Sequence, residues 1–402
     1  MRPLVLLALL AAAASAQPAG LDSLLTAPGA PALSDDARVS LLTMLPGEEV
    51  YSLWGHSSLR IHDPASGLDR TYNYGTFDFE QPGFILRFVR GHLDYMLDTA
   101  PFDLEVAKYE FLQRPMIEQT LDLPPETTRE LFRALEENAL PENRAYRYDF
   151  IWDNCSTRLL DMVDAALVAT GHPATTLPPA EWERTYREML GPYTENHPWL
   201  DFGTNLGLGL PTDAVAQPDD QTFLPLALME IADGATVGGR PLVAARDTVF
   251  WVPQTADARA MPWPAILGWL LLAAAVGGTI WMRQRLRSDR LRRFGARLDG
   301  LLFGLAGLAG LILVLMWVAT DHRVTAANVE LLWLWPTHLV AAFWLSGLRP
   351  GTAWRRYALA AAVGTALVVA LWWAWPEPMH PAGIPLALLL AFRAAMRSRL
   401  PG

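Results

Sequence analysis

The 402-residue chain has one cysteine, Cys155, and so cannot form an internal disulfide. That excludes the disulfide-stapled scaffolds common among small exported proteins. Basic charge is also short. Thirty-two Lys and Arg stand against 42 Asp and Glu, a formal net charge of -10, and this argues against nucleic-acid binding by the soluble part. No His/Cys cluster has metal-ligand spacing, so the chain is expected to need no metal and no other cofactor. What it has in abundance is apolar sequence, and that sequence is unevenly placed. The acidic residues concentrate in the first part. From Pro262 onward Leu, Ala and Trp dominate, with arginine clusters between the apolar runs.

Met1-Arg2-Pro3 precedes an apolar stretch from Leu4 to Ala14 that ends in Ala14-Ser15-Ala16. A charged start, a short apolar run and a small-x-small site describe a secretory signal peptide over 1–16, cleaved before Gln17. Later apolar runs cover Ala265–Met282, Leu301–Ala319, Leu331–Leu348, Tyr357–Trp375 and Ile384–Ala395. The first four approach the ~20 residues that cross a bilayer core; the fifth is short enough to be re-entrant. Arg283, Arg285, Arg287, Arg290, Arg292, Arg293 and Arg297 follow the first run. Arg349, Arg355 and Arg356 follow the third, and Arg393, Arg397 and Arg399 belong to the C-terminal tail. Connections 320–330 and 376–383 hold only Arg323. By the positive-inside rule the arginine-rich loops are cytoplasmic, and the N-terminal part faces the other side. Trp281, Trp333, Trp335, Trp372, Trp373 and Trp375 cluster at run ends, as interfacial aromatics do. The expected organisation is a signal peptide (1–16), an exported domain (17–258) and a five-helix transmembrane domain (259–402). The outer loop Asp321-His322-Arg323…Thr325…Asn328 is more polar than a turn requires, so it either is simply solvated or holds a lipid headgroup.

Within the exported part, Trp54-Gly55-His56-Ser57-Ser58-Leu59-Arg60-Ile61-His62 and Arg70-Thr71-Tyr72-Asn73-Tyr74-Gly75-Thr76-Phe77 flank Asp63-Pro64-Ala65-Ser66-Gly67, a hairpin pattern. Period-two alternation puts His56, Ser58, Arg60 and His62 on one face, and sets Tyr72 and Tyr74 opposite Asn73. Pro125 opens an amphipathic helix through Leu131, Phe132, Leu135 and Ala139. In Asp153-Asn154-Cys155-Ser156-Thr157-Arg158, Asp153 and Asn154 are both good N-caps, and helical spacing follows through 159, 160, 163, 166 and 167. Cys155 is therefore expected in the first turn of a helix. There the dipole favours a thiolate, and first-turn N–H groups can hold an oxyanion. A lone thiol in so polar a context reads as a nucleophile. It needs a base and an orienter for that base. Among His56, His62, His92, His172 and His197, His56 is the best placed base, with Asn73 to fix its tautomer. Arg60, Tyr74, Asn154, Ser156 and Arg158 complete the candidate substrate-binding set. Asp149 and Asp153 are candidates to orient Arg158 or Arg60, and Tyr72, Tyr74, Phe77 and Phe79 either line an acyl groove or pack a core.

These segments, together with Tyr148-Asp149-Phe150 and His197-Pro198-Trp199-Leu200-Asp201-Phe202-Gly203, resemble the Lnb family, and the likeness covers nearly all of the mature chain. The resemblance implies an α+β, permuted papain-like (NlpC-like) soluble domain followed by an all-α five-helix transmembrane domain. It implies a bacterial inner-membrane, multi-pass protein with its catalytic domain in the periplasm. The implied activity is lipoprotein N-acylation: an acyl chain leaves a phospholipid, rests as a thioester on Cys155, and passes to the N-terminal amine of a diacylated lipoprotein. The order His56, Asn73, Cys155 fits the permutation. Two other readings share these residues, a cell-wall cysteine amidase of the NlpC-like type and a non-catalytic envelope scaffold. Neither explains why the domain should be tethered beside lipid substrates.

Overall fold

In the computed structural model, the described residues are 32–399 apart from 79, 81, 180–182, 254–259, 286–288, 349 and 376–377. The expected signal peptide, Phe79, Arg287 and Arg349 lie outside them. Two compact units emerge: 1–183 with 216–255, and 184–215 with 256–402.

The first unit is built on a seven-stranded sheet. Its strands are β1 (Arg38–Met44), β2 (His56–Asp63), β3 (Leu68–Thr76), β4 (Asp94–Pro101), β5 (Met116–Leu121), β6 (Ala145–Arg147) and β7 (Val243–Phe250), in the order β6-β4-β3-β2-β1-β5-β7. Every neighbouring pair is antiparallel. The β2–β3 hairpin is present as the sequence predicts. Its turn is closed by the Asp63 carboxylate, which accepts from the Ala65 N–H and the Ser34 hydroxyl, and by Gly67 at φ +72°.

Both faces of this sheet are covered, and strand alternation sorts the side chains between them. On one face Val39, Leu41, Leu59, Ile61, Tyr72 and Tyr74 pack with α3 (Pro125–Asn138), α4 (Thr157–Ala169) and α7 (Pro225–Gly234), through Leu131, Leu135, Leu159, Val163, Leu167 and Leu228. On the other face Leu42, Met44 and Met116 pack with Tyr109, Phe102 and Val106 of α2 (Phe102–Phe111). A short helix, α1 (Phe84–Val89), leaves β3 and leads to β4.

The β2–β3 ladder runs only from Asp63↔Leu68 to Leu59↔Tyr72. Beyond it β3 pairs with β4 through an irregularity between Asn73 and Thr76, where Gly75 adopts φ +93°. Backbone donors at the start of β2 are thereby released from β3, and α4 begins beside that gap.

In the second unit, helices α8 (Trp263–Arg285), α9 (Asp289–Val318), α10 (His338–Leu345), α11 (Thr352–Leu371) and α12 (Gly383–Ser398) follow one another. Among the described residues α8, α9 and α11, the last extended to Ala374, are long and apolar enough to cross a membrane. The third apolar run differs from expectation. Pro336 interrupts it, Val329–Leu332 is a 3₁₀ turn, and only 338–345 is α-helical. The fifth run forms a 16-residue helix. Arg393 and Arg397, expected in a cytoplasmic tail, instead lie in α12 and share Asp299, with Nε–Oδ distances of 2.5 Å each. Arg393 also donates to Thr279 Oγ1, so one carboxylate gathers α8, α9 and α12. Charges so placed persist in a membrane helix because they satisfy one another.

The second unit also takes in residues 184–215, which a single boundary near 258 would have left with the first. Polar ties account for this. Buried Arg187 makes two hydrogen bonds to Asp213 and reaches the Asn205 and Leu208 carbonyls. Asn328 Nδ2 donates to Leu206 O and Leu208 O, Gly209 N–H donates to Val324 O, and His380 pairs with Asp201 at 2.9 Å. Part of the polarity of the 320–330 loop is thus spent holding α5 (Tyr186–Thr194) and α6 (Pro198–Gly207) in place.

Helix α9 meets the broken third segment backbone to backbone. A Cβ added at Gly310 would lie 1.9 Å from Leu334 O. Membrane helices use small residues for such approaches. Gly310→Ala is expected to destabilise the second unit by about 1–3 kcal/mol, the usual cost of overpacking, read as a lower melting temperature in detergent; an unchanged melting temperature would show that the two segments do not meet this closely.

Candidate active site

Cys155 lies just ahead of α4 rather than in its first turn, since the first helical residue is Thr157. Asn154 sets the geometry. Its Oδ1 accepts the N–H groups of Ser156 (2.7 Å) and Thr157 (3.1 Å), and its Nδ2 donates to Phe150 O and Phe223 O. Its own N–H goes to Thr157 Oγ1, a reciprocal cap. The capping expectation for Asn154 is met, with a consequence for chemistry. The N–H groups of Ser156 and Thr157 are taken, and that of Arg158 bonds Asn154 O, so none of the three is left for an oxyanion.

The sulfur of half-buried Cys155 is met by the backbone N–H of Ser57 and its own N–H, and it lies 4.0 Å from Ser156 Oγ, to which the thiol can donate. Ser156 Oγ in turn donates to Ser57 Oγ at 3.2 Å, tying α4 to β2. Gly75 lies opposite, where an added Cβ would come 3.4 Å from Cys155 Cβ. A side chain there would crowd the thiol and strain the backbone at φ +93°.

His56, the residue before Ser57, opens β2. Its Nε2 is 3.2 Å from Asn73 Oδ1, and Asn73 Nδ2 donates to Thr71 Oγ1. With the amide held that way, Oδ1 can only accept. Nε2 therefore carries the proton and Nδ1 keeps its lone pair. Burial lowers the His56 pKa to about 3, helped by the positive charges of Lys108 and Arg114 and opposed by the bond to Asn73. Burial also pushes the Cys155 thiol up, against the pull of the Ser57 N–H, the Ser156 hydroxyl, its own N–H and Arg114. Both groups are thus held neutral at rest.

The remaining sequence candidates are fully engaged within the protein. Arg60 makes a bidentate pair with Asp69 at 2.7 Å, donates to both Glu118 oxygens at 3.0 Å, and stacks on Phe102. Arg158 is held by Asp153 and lies over Tyr146 at 3.7 Å. Asp149 accepts the Ile151 and Trp152 N–H groups instead of an arginine. Tyr74 is buried, and its hydroxyl donates to Asn138. These contacts tie strands and helices together, and Tyr72 and Tyr74 are core residues.

Sequence reasoning did not reach Ser57 as a donor, nor Arg114 and Lys108 as charges acting on the imidazole. It also missed a run of aromatic rings. Tyr148, beside Gly75, stacks on Tyr95 at 4.1 Å; Tyr95 meets Phe77 at 5.1 Å, and Phe77 meets Phe84 of α1 at 6.0 Å. Only the polar Trp54–Ile61 segment offered a signal for Ser57; the others come from separate elements.

Residues 32–188 match the family model described as the Lnb N-terminal periplasmic domain, and residues 256–400 match the Lnb transmembrane domain. The chain belongs to the Lnb family. It is accordingly a membrane protein with a periplasmic domain. No curated protein and no solved structure matches it. Among the described residues of this Lnb member, no group of three or more His, Cys, Asp or Glu is arranged to hold a metal ion.

Two tests follow from the site's geometry. With the thiol pKa raised, alkylation of Cys155 by iodoacetamide should be slow at pH 7 and should climb through pH 9; a rate already at its plateau by pH 6 would mean a preformed thiolate–imidazolium pair. Asn154→Ala should cost about 1–2 kcal/mol from the lost cap, with a further loss from the stranded Phe150 and Phe223 carbonyls, measured by thermal unfolding.

Proposed function

We propose that this Lnb protein is a multi-pass inner-membrane enzyme whose periplasmic domain transfers an acyl chain from a phospholipid, through a Cys155 thioester, to the N-terminal amine of a diacylated lipoprotein. The observation that carries this reading is the meeting of the sulfur with the N–H of Ser57, the residue that follows His56, whose tautomer Asn73 sets. Histidine on a strand that precedes the cysteine segment also agrees with a permuted papain-like topology.

The reaction runs by general base catalysis from a neutral pair. As Cys155 Sγ attacks the ester carbonyl, its proton moves to His56 Nδ1, and Asn73 stabilises the imidazolium through the Nε2–H bond. The Cys155 and Ser57 N–H groups, which meet the sulfur at rest, are the donors for the developing oxyanion; the first-turn donors behind them are consumed by Asn154. The carbon–oxygen bond breaks, His56 returns the proton to the leaving alkoxide, and a lysophospholipid departs. The lipoprotein amine then attacks the thioester. His56 accepts its proton and passes it to the sulfur as the amide forms. The aromatic run from Tyr148 to Phe84 gives the acyl chain an apolar wall. Arg60, Tyr74 and Arg158 shape this pocket from behind through their internal contacts. Anchoring in the bilayer raises the effective concentration of both lipid substrates.

Purified protein incubated with phospholipid and a diacyl lipopeptide should yield triacyl lipopeptide, together with a mass increment of one acyl group on Cys155; Cys155→Ser should abolish both. Cleavage of muropeptides without acyl transfer would assign the thiol to a cell-wall amidase instead, and wild-type behaviour of Cys155→Ser in every assay would leave a scaffold. Because His56 stays neutral far below pH 6.5, the rate of acyl-thioester formation on Cys155, measured without the amine acceptor, should at pH 5 remain within about twofold of that at pH 7; a tenfold fall in this first step would mean that His56 titrates normally.

A further inference from the structure

Arg114 is an unusual buried charge. It is 6% exposed, and the one side-chain hydrogen bond it makes among the described residues runs from Nε to Leu45 O at 2.9 Å. Its Nη2 is buried and donates to nothing. A guanidinium left incompletely bonded in the interior is costly, and the cost is offset when an anion completes its hydrogen bonds. Its position ties it to the thiol site. Met44, at the end of β1, pairs with His56 on one side and with Met116 on the other. Arg114 stands two residues before Met116 and holds the carbonyl just past Met44. The arginine and the imidazole therefore flank the same strand end, and the arginine's field reaches both His56 and Cys155.

Arg114 is buried over the Tyr109 ring at 5.0 Å, and the buried Glu105 carboxylate lies close enough to act on its charge without bonding it. Its side chain packs under the Gly47–Ser52 loop, where an added Gly47 Cβ would be 2.9 Å from Arg114 Cδ, and that loop presents Val50 (57% exposed) and Tyr51 (61%). Phe111, 86% exposed, and Leu112 stand three and two residues before the arginine, and Leu104 is an exposed residue of α2. Apolar side chains at the lip with a cation behind them suit a molecule whose tails are hydrocarbon and whose head is an anion. Lys108, half-exposed on α2, is paired with buried Glu105 at 3.4 Å, which leaves the Arg114 guanidinium as the charge to be completed.

We infer that Arg114 binds the phosphate of the glycerophospholipid acyl donor, holding the headgroup while the ester carbonyl lies at Cys155. The inference rests on the acyltransferase reading and deepens it by naming what selects the donor. The planar guanidinium fork suits two phosphate oxygens at once, which a lysine does not reproduce.

The test compares acyl-thioester formation on Cys155, by intact mass, from a glycerophospholipid and from the corresponding diacylglycerol in the same detergent micelles at the same pH. The two donors share their esters and differ in the phosphate, so any change in thiol reactivity cancels in their ratio. Wild type should prefer the phospholipid. Arg114→Gln should lose about 10- to 100-fold more rate with the phospholipid than with the diacylglycerol, the range for a hydrogen bond to a charged group, chiefly through KM. Arg114→Lys should show a smaller loss of the same selectivity, and it serves as the test where Arg114→Gln does not fold. Equal losses with both donors would assign Arg114 to the oxyanion or to the fold and overturn the inference, as would a phospholipid preference that survives both substitutions. Absence of any acyl-thioester in wild type would sink the acyltransferase reading itself.

Discussion

The thiol site depends on one amide. Asn154 uses both oxygen lone pairs and both amide hydrogens, gathering the start of α4 and the Phe150 and Phe223 carbonyls around a single buried side chain. Cys155 follows it directly, so the sulfur's place is inherited from that anchor. Because the amide also uses up donors that a helix start would otherwise offer, it moves the chemistry away from the helix and toward the Ser57 N–H on β2. The gap where β2 and β3 part leaves that N–H unclaimed. Cap, strand gap and nucleophile are one arrangement.

Its electrostatics follow from burial. Burial around the two groups disfavours separated charge at rest, so imidazole and thiol both stay neutral. The nearby cations act on the two groups unequally: Arg114 pulls the thiol pKa down and pushes the imidazole pKa further down.

The second unit solves a different problem, the burial of polar groups next to hydrocarbon. Asp299 is shared by two arginines, Asn328 caps loose carbonyls, and Arg187 is enclosed by Asp213 and backbone oxygens. These three side chains are answered by partners from distant parts of the chain. The segment 184–215 belongs with these helices because its polar groups find their partners among them.

Local patterns were legible where a single element decides the outcome. The hairpin about Gly67, the amphipathic helix after Pro125, the capping role of Asn154 and the Asn73 bond to His56 all follow from neighbouring residues or from strand alternation. The division of the chain into an exported part and an apolar part was set by composition, because hydropathy is a sum over residues and needs no fold. Decisions between elements were not legible. Arg60 looks like a ligand in sequence, but its carboxylate partners Asp69 and Glu118 come from other strands, and only the folded register brings these together; Arg158 pairs with nearby Asp153, one of the two partners the sequence offers. The place of Cys155 beside the start of a helix was legible in the polar Asp153–Arg158 segment. The donors that face the sulfur and the buried Arg114 beside it were chosen by tertiary structure, because hydrogen-bond supply and desolvation depend on which backbone groups packing leaves unpaired.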